Sequence, residues 1–194
     1  MKKKLLVILV LVMMSTGLYA QQAGQSTLGF RLGIARGMAS GLDNNESNIS
    51  TLNPVVYYAY TFMNNVSLQM ELNVGVRAGI DIEWVQHWWW GTTSRTEEWR
   101  YTSIDIPVLL RYNFFHGLLG FMAGPHISIP VGYDYVAGDS PSMTFGVTAA
   151  LQGLFPLGGV RFVGDLRFIT DFNNIVSGLR RQALAVTAGL EWSF

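Results

Sequence analysis

Cysteine is absent from all 194 residues. That excludes a disulfide framework, a thiolate metal centre and a lipid anchor on an N-terminal cysteine. Lysine is nearly absent too: the three present are Lys2, Lys3 and Lys4, so everything beyond them uses arginine as its only strong base. Soluble proteins normally cover themselves with lysine, whereas arginine suits crowded or buried ion pairs because its rigid fork meets carboxylates bidentately. Charged residues make up only 13% of the chain, against about 25% in soluble domains. Long apolar runs are missing as well. The longest, Leu5 to Met14, has ten residues, about half the ~20 that a membrane-spanning helix needs. A chain that is 49% apolar, with few charges and no spanning helix, must place its apolar surface on strands.

What is present at the start is a basic segment, that short apolar stretch, and small or neutral residues ending Leu18-Tyr19-Ala20. This pattern predicts a Sec signal peptide over residues 1–20, cleaved after Ala20. Residues 21–194 then form one domain on length grounds. They carry ten arginines and thirteen acids, a net charge of 10 − 13 = −3, which offers no basic patch to nucleic acid.

From Ser26 onward the apolar pattern has period two. Turn signals divide it into eight strands, at 27–37, 52–62, 66–84, 100–112, 118–132, 142–155, 160–171 and 182–194. The last alternates most clearly, with Leu184, Val186, Ala188, Leu190, Trp192 and Phe194 on one face and Ala185, Thr187, Gly189, Glu191 and Ser193 on the other. The third reads as an uninterrupted alternation from Val66 to Trp84. A soluble lipocalin-like barrel would alternate too, with its apolar face inward. The glycines decide: Gly29, Gly33, Gly75, Gly79, Gly124, Gly146 and Gly189 share the polar face with Arg31, Arg77 and Glu191. Small residues beside long charged ones fill a narrow lumen, and glycine in a strand interior is otherwise destabilising.

The gaps between strands alternate in length. Long ones at 38–51, 85–99, 133–141 and 172–181 are separated by short ones at 63–65, 113–117 and 156–159, as in barrels with short periplasmic turns and longer external loops. The expectation is therefore an all-β, eight-stranded antiparallel up-and-down transmembrane β-barrel in a Gram-negative outer membrane, closed because an open edge in lipid leaves backbone groups unpaired.

Two stretches carry a family resemblance. Tyr101-Thr102-Ser103-Ile104-Asp105-Ile106-Pro107-Val108-Leu109-Leu110-Arg111-Tyr112, followed by Gly120-Phe121-Met122-Ala123-Gly124-Pro125, resembles the acid-Ile-Pro-Leu-Leu-basic-Tyr and Ala-Gly-Pro strands of the outer-membrane β-barrel domain family that includes PorT. The layout is similar to the OmpA and OmpX barrels. The resemblance implies the barrel fold, and its PorT branch implies a part in protein secretion. Leu190, Trp192 and Phe194 resemble the last-strand signal read by barrel-assembly machinery; a plain hydrophobic strand end is the alternative.

Candidate chemistry is sparse. By parity His126 points into the lumen, while His87 and His116 fall in connections. A lipid-modifying enzyme needs a nucleophile and base reachable from the outer leaflet, but the outward parity offers chiefly Thr102 and Thr170 with no histidine beside them. No metal site or cofactor is expected. The inward acids Glu71, Asp81, Glu83, Asp105, Asp165, Asp171 and Glu191 share the interior with Arg31, Arg77, Arg111, Arg161 and Arg167. They read either as acid/base or cation sites or as a paired network plugging the lumen; pairing is the usual remedy for buried charge. An eight-stranded barrel is just wide enough for side chains to fill, which argues against a general porin. The run Trp88-Trp89-Trp90 is either a patch for an extracellular protein or glycan or an anchor among lipid headgroups. Expected partners are thus outer-membrane lipid, the assembly machinery and such a ligand, around a monomer that is a noncatalytic barrel serving envelope integrity or surface adhesion, or else a narrow ion or small-solute channel.

Overall fold

The computed structural model describes residues 22–40, 49–88, 91–134, 142–174 and 180–194, with side chains omitted at 38–40, 49–51, 75–88, 91–101 and 133–134. The expected signal peptide, residues 1–20, lies outside the described residues.

Period-two alternation becomes eight strands: β1 (Ser26–Ser40), β2 (Ile49–Met63), β3 (Val66–Trp88), β4 (Gly91–Phe114), β5 (Leu119–Asp134), β6 (Thr144–Leu157), β7 (Val160–Asp171) and β8 (Arg180–Ser193). Each pairs antiparallel with its neighbours in sequence, and β8 returns to β1 to close the barrel. That seam runs from Thr27↔Ser193 to Ser40↔Arg180, and Ser26 and Phe194 extend it by exchanging backbone hydrogen bonds of 3.0 and 2.9 Å. No strand edge is left along it, as hydrocarbon requires.

The exterior carries the apolar side chains. Leu28, Phe30, Leu32 and Ile34 of β1 are exposed, as are Leu184, Val186, Leu190 and Trp192 of β8 and their counterparts on every other strand. The polar residues between them are buried inside. This is a soluble protein's distribution reversed, and such a surface suits a bilayer. At one end the connections are tight. Asn64-Asn65 and Gly158-Gly159 are two-residue turns in which Asn65 (φ 66°) and Gly158 (φ 75°) take the left-handed conformation, the backbone that hairpin turns of this length demand. The longer connections lie at the other end.

Two features depart from the sequence reading. First, 85–88 and 91–99 are strand rather than loop: β3 and β4 run 23 and 24 residues and stay paired to Trp88↔Gly91. A free two-stranded ribbon has no face that must match lipid, so strand can continue through a segment without clean alternation. Second, the alternation of β3 is interrupted. The step from Val74 to Val76 faces the single step from Ile104 to Ser103, a bulge at Gly75 of the kind that shifts strand phase. Parity counted below Gly75 therefore gives no guide above it, and the expectation that Arg77, Asp81 and Glu83 point inward rests on residues whose side chains are not described.

Candidate functional site: the lumen and its ion pairs

The lumen is narrow because small and large residues alternate across neighbouring strands. Gly29 of β1 sits opposite Tyr57 of β2, and a Cβ placed on Gly29 would fall inside the Tyr57 ring. Gly189 does the same for the seam, where a Cβ would strike the Phe30 backbone of β1. Leu109, Met122 and Ala150 supply a small apolar filling.

The rest of the interior is charged and forms three clusters. Nearest the tight turns, Glu191 accepts from Arg161 Nε at 2.7 Å and Arg111 Nη1 at 3.0 Å, and Tyr57 donates its hydroxyl to the same carboxylate at 2.6 Å. In the middle, Arg31 and Arg167 each bridge Glu71 and Asp165. Arg31 reaches Glu71 at 2.5 Å and also pairs with Asp165; Arg167 lies 2.7 Å from Glu71 and 2.8 Å from Asp165. Gln69 and Thr187 donate to the same two acids at 2.6 and 2.7 Å, and the Arg31 guanidinium stacks 4.4 Å over the Tyr57 ring. Toward the ribbon end, Arg181 bridges Asp105 and Asp171, each at 3.1 Å, and His126 Nε2 lies 2.7 Å from Asp171.

Among the described residues, five lumen arginines (31, 111, 161, 167, 181) thus face five carboxylates (71, 105, 165, 171, 191), every one of them ion-paired. Desolvating such charges is costly and is offset only by good geometry and further hydrogen bonds, which the flanking Gln, Thr and Tyr groups provide. Whereas β8 begins at Arg180, Arg181 is missed by the sequence reading, whose eighth strand begins at 182. Extending it two residues puts Arg181 in phase with Ala183, Ala185 and Thr187, which are buried.

One constellation has the outline of a catalytic relay. Thr148 Oγ1 lies 3.1 Å from His126 Nδ1, and His126 meets Asp171. All three are at least 98% buried within the lumen, Asp171 is also held by Arg181 and by Thr144 at 2.8 Å, and none of them faces lipid. The arrangement works as packing that satisfies a buried imidazole. His116 sits exposed in the β4–β5 turn. Among the described residues no three or more His, Asp or Glu are grouped as a metal site would need.

The remaining sequence candidates lie at the barrel's two ends. Leu190, Trp192 and Phe194 are outward-facing at the tight-turn end. Trp88 ends β3, and its indole, like Trp89 and Trp90 entirely, lies outside the described residues.

No family model matches the chain, and no curated protein matches it. Solved structures do resemble it. The outer membrane protein OprG from Pseudomonas aeruginosa superposes with a TM-score of 0.59 at 11% identity, covering 90% of this chain and 98% of that one. Neisserial surface protein A gives 0.52 at 12%, covering 86% and 97%. Ail, the attachment invasion locus protein of Yersinia pestis, in complex with the heparin analogue sucrose octasulfate, gives 0.50 at 11%, covering 88% and 100%. At such identities the likeness is one of fold, and the chain is an eight-stranded closed antiparallel β-barrel of the kind found in outer membrane proteins.

Proposed function

We propose that this chain is a noncatalytic outer-membrane barrel whose lumen is a structural plug and whose β3–β4 ribbon is its surface for interaction outside the cell. The observation that carries this reading is that every described charge buried in the lumen is ion-paired, which leaves none of them free to act on a passing substrate. In this reading residues 1–20 direct export, the tight turns face the periplasm and the ribbon faces outward, as is usual for such barrels. The barrel-assembly machinery inserts the chain through its last strand, and lipid surrounds a monomer within the membrane. Ail, an attachment protein by name, supports a surface role through its fold alone. A PorT-like part in secretion would have to be that of a scaffold, since no polypeptide fits a lumen filled by side chains.

A second reading, a narrow channel, is favoured by one observation. Both amide atoms of Asn53 and of Gln152 are buried without a protein hydrogen bond, as is Arg31 Nε, and water is the usual partner of such groups. Conductance of the purified protein in a planar bilayer separates the two readings. A silent bilayer is the expected result, whereas steady single-channel openings would overturn the plug.

A further inference from the structure

The lipid-facing wall carries charge at one place only among the described residues. Arg36 of β1 and Arg180 of β8 point outward and are exposed, and no described acid shares that face. Both lie on the strands of the closing seam. Gln182, half-buried on the same face, stands opposite Met38 of β1 and opposite Thr170 of β7. Arg180 is the next outward residue along β8, and Arg36 lies diagonally across the seam, next to Met38 on that face. Diagonal neighbours on one face of a sheet are about 7 to 8 Å apart, within reach of side chains as long as these. Two guanidiniums, an amide and a hydroxyl thus gather on a wall built for hydrocarbon.

Their depth identifies what they meet. Gln182 is ten residues along β8 from Trp192 at the tight-turn end. Ten steps of ~3.4 Å at ~45° tilt rise roughly 24 Å, close to the ~25 Å apolar band of such barrels. Below the patch the same strands present Leu184, Val186, Ile34 and Leu32, all exposed, which suit acyl chains. The patch therefore lies at the headgroup boundary of the leaflet at the ribbon end and faces sideways into it, where its neighbour is a lipid rather than a soluble molecule. Arginine's planar fork meets phosphate bidentately. Arg36 also interacts within the protein, and its fork of N–H donors serves both contacts. Gln182 and Thr170 can each donate and accept, as sugar hydroxyls require.

We infer that the ribbon end of the β7–β8–β1 wall is a binding site for a phosphorylated glycolipid, whose phosphate sits between Arg36 and Arg180 and whose sugar hydroxyls meet Gln182 and Thr170. That the lipid belongs to the outer leaflet rests on the orientation proposed above. A lipid held there lies across the β1–β8 closure.

Lipid retention by the purified protein tests it. Full-length protein, delipidated and folded in dodecyl maltoside, is titrated with lipid A, with lipid A stripped of its phosphate, and with cardiolipin, which carries phosphate without sugar; native mass spectrometry counts the bound lipid. Lipid A should bind, and the other two should bind about tenfold more weakly, as expected for losing hydrogen bonds to charged groups or to buried polar ones. Replacing both arginines, Arg36→Gln and Arg180→Gln, should weaken lipid A binding by about tenfold or more. Folding is checked by heat-modifiable mobility, and Arg180→Gln alone, at the first residue of β8, carries the test if the double variant does not fold. The inference is overturned if lipid A does not bind, if phosphate-free lipid A or cardiolipin binds equally well, or if the arginine variants bind as wild type does. Micelles are indifferent to orientation, which protease access to the ribbon on intact cells reads separately. A hidden ribbon would overturn the assignment to the outer leaflet, whereas a silent barrel with an exposed ribbon that retains no lipid A would sink this inference and leave the plugged barrel standing.

Discussion

Arg167 of β7 reaches across the lumen to place its Nη1 2.7 Å from Glu71 Oε2 of β3. The two residues are 96 apart in sequence and on strands that are not neighbours in the sheet, so the contact ties opposite walls of the barrel together. Arg167→Met leaves Asp165 and Glu71 with Arg31 as their only arginine among the described residues. Breaking a buried pair from one side costs roughly 3 to 5 kcal/mol. The midpoint of unfolding in urea, read by loss of the heat-modifiable band in detergent, should fall markedly. An unchanged midpoint would show that the middle cluster contributes nothing to stability.

The Gly29–Tyr57 pair supplies a steric counterpart. Gly29→Ala forces its methyl into the Tyr57 ring, and over-packing of this kind typically costs about 1 to 3 kcal/mol. Tyr57→Leu alone loses the hydroxyl bond to Glu191 and the stack under Arg31, so it too should destabilise. The double variant should lose less than the sum of the two, because shortening Tyr57 removes the obstacle. Strict additivity in the double-mutant cycle would contradict the close approach.

The fold was legible because eight segments alternate against lipid, and glycine and arginine on one parity marked the inside. Resolution failed where that contrast fails. Val55-Val56-Tyr57-Tyr58-Ala59-Tyr60 has apolar or aromatic residues on both parities, so nothing in it shows that Tyr57 is buried while Tyr58 and Tyr60 are exposed. The single extra residue at Gly75 hides in a run that reads as perfect alternation. Which arginine meets which acid was not legible either, since pairs such as Arg111–Glu191 and Arg181–Asp105 cross the lumen and depend on how far the sheet is sheared when it closes. The continuation of β3 to Trp88 and of β4 back to Gly91 was not legible, because those segments lack a lipid-facing pattern.

Closure at the seam leads to a prediction about assembly. Phe194 exchanges backbone hydrogen bonds with Ser26, beyond the last β1–β8 ladder pair, and the residue is 74% exposed at the tight-turn end. Deleting Phe194 should leave export to the periplasm intact while reducing the folded, heat-modifiable band in outer-membrane fractions. Insertion at the wild-type level would remove the reading of Phe194 as part of an assembly signal.

The aromatic run at the ribbon tip can be located by fluorescence. Because β3 continues as one strand from Val66 to Trp88, its course carries it away from the bilayer. A crossing uses ~9 to 11 residues, so about 12 to 14 of the 23 extend beyond, rising roughly 30 Å at ~3.4 Å per residue and ~45° tilt. Trp88, Trp89 and Trp90 should therefore stand in water. A variant with Trp84, Trp99 and Trp192 replaced by phenylalanine keeps these three as its only tryptophans. In vesicles, iodide should quench its emission strongly and brominated lipid weakly. The reverse pattern would mean a ribbon folded down with its indoles among headgroups, where tryptophan is also favoured. That result would convert the tip from an interaction surface into a membrane anchor.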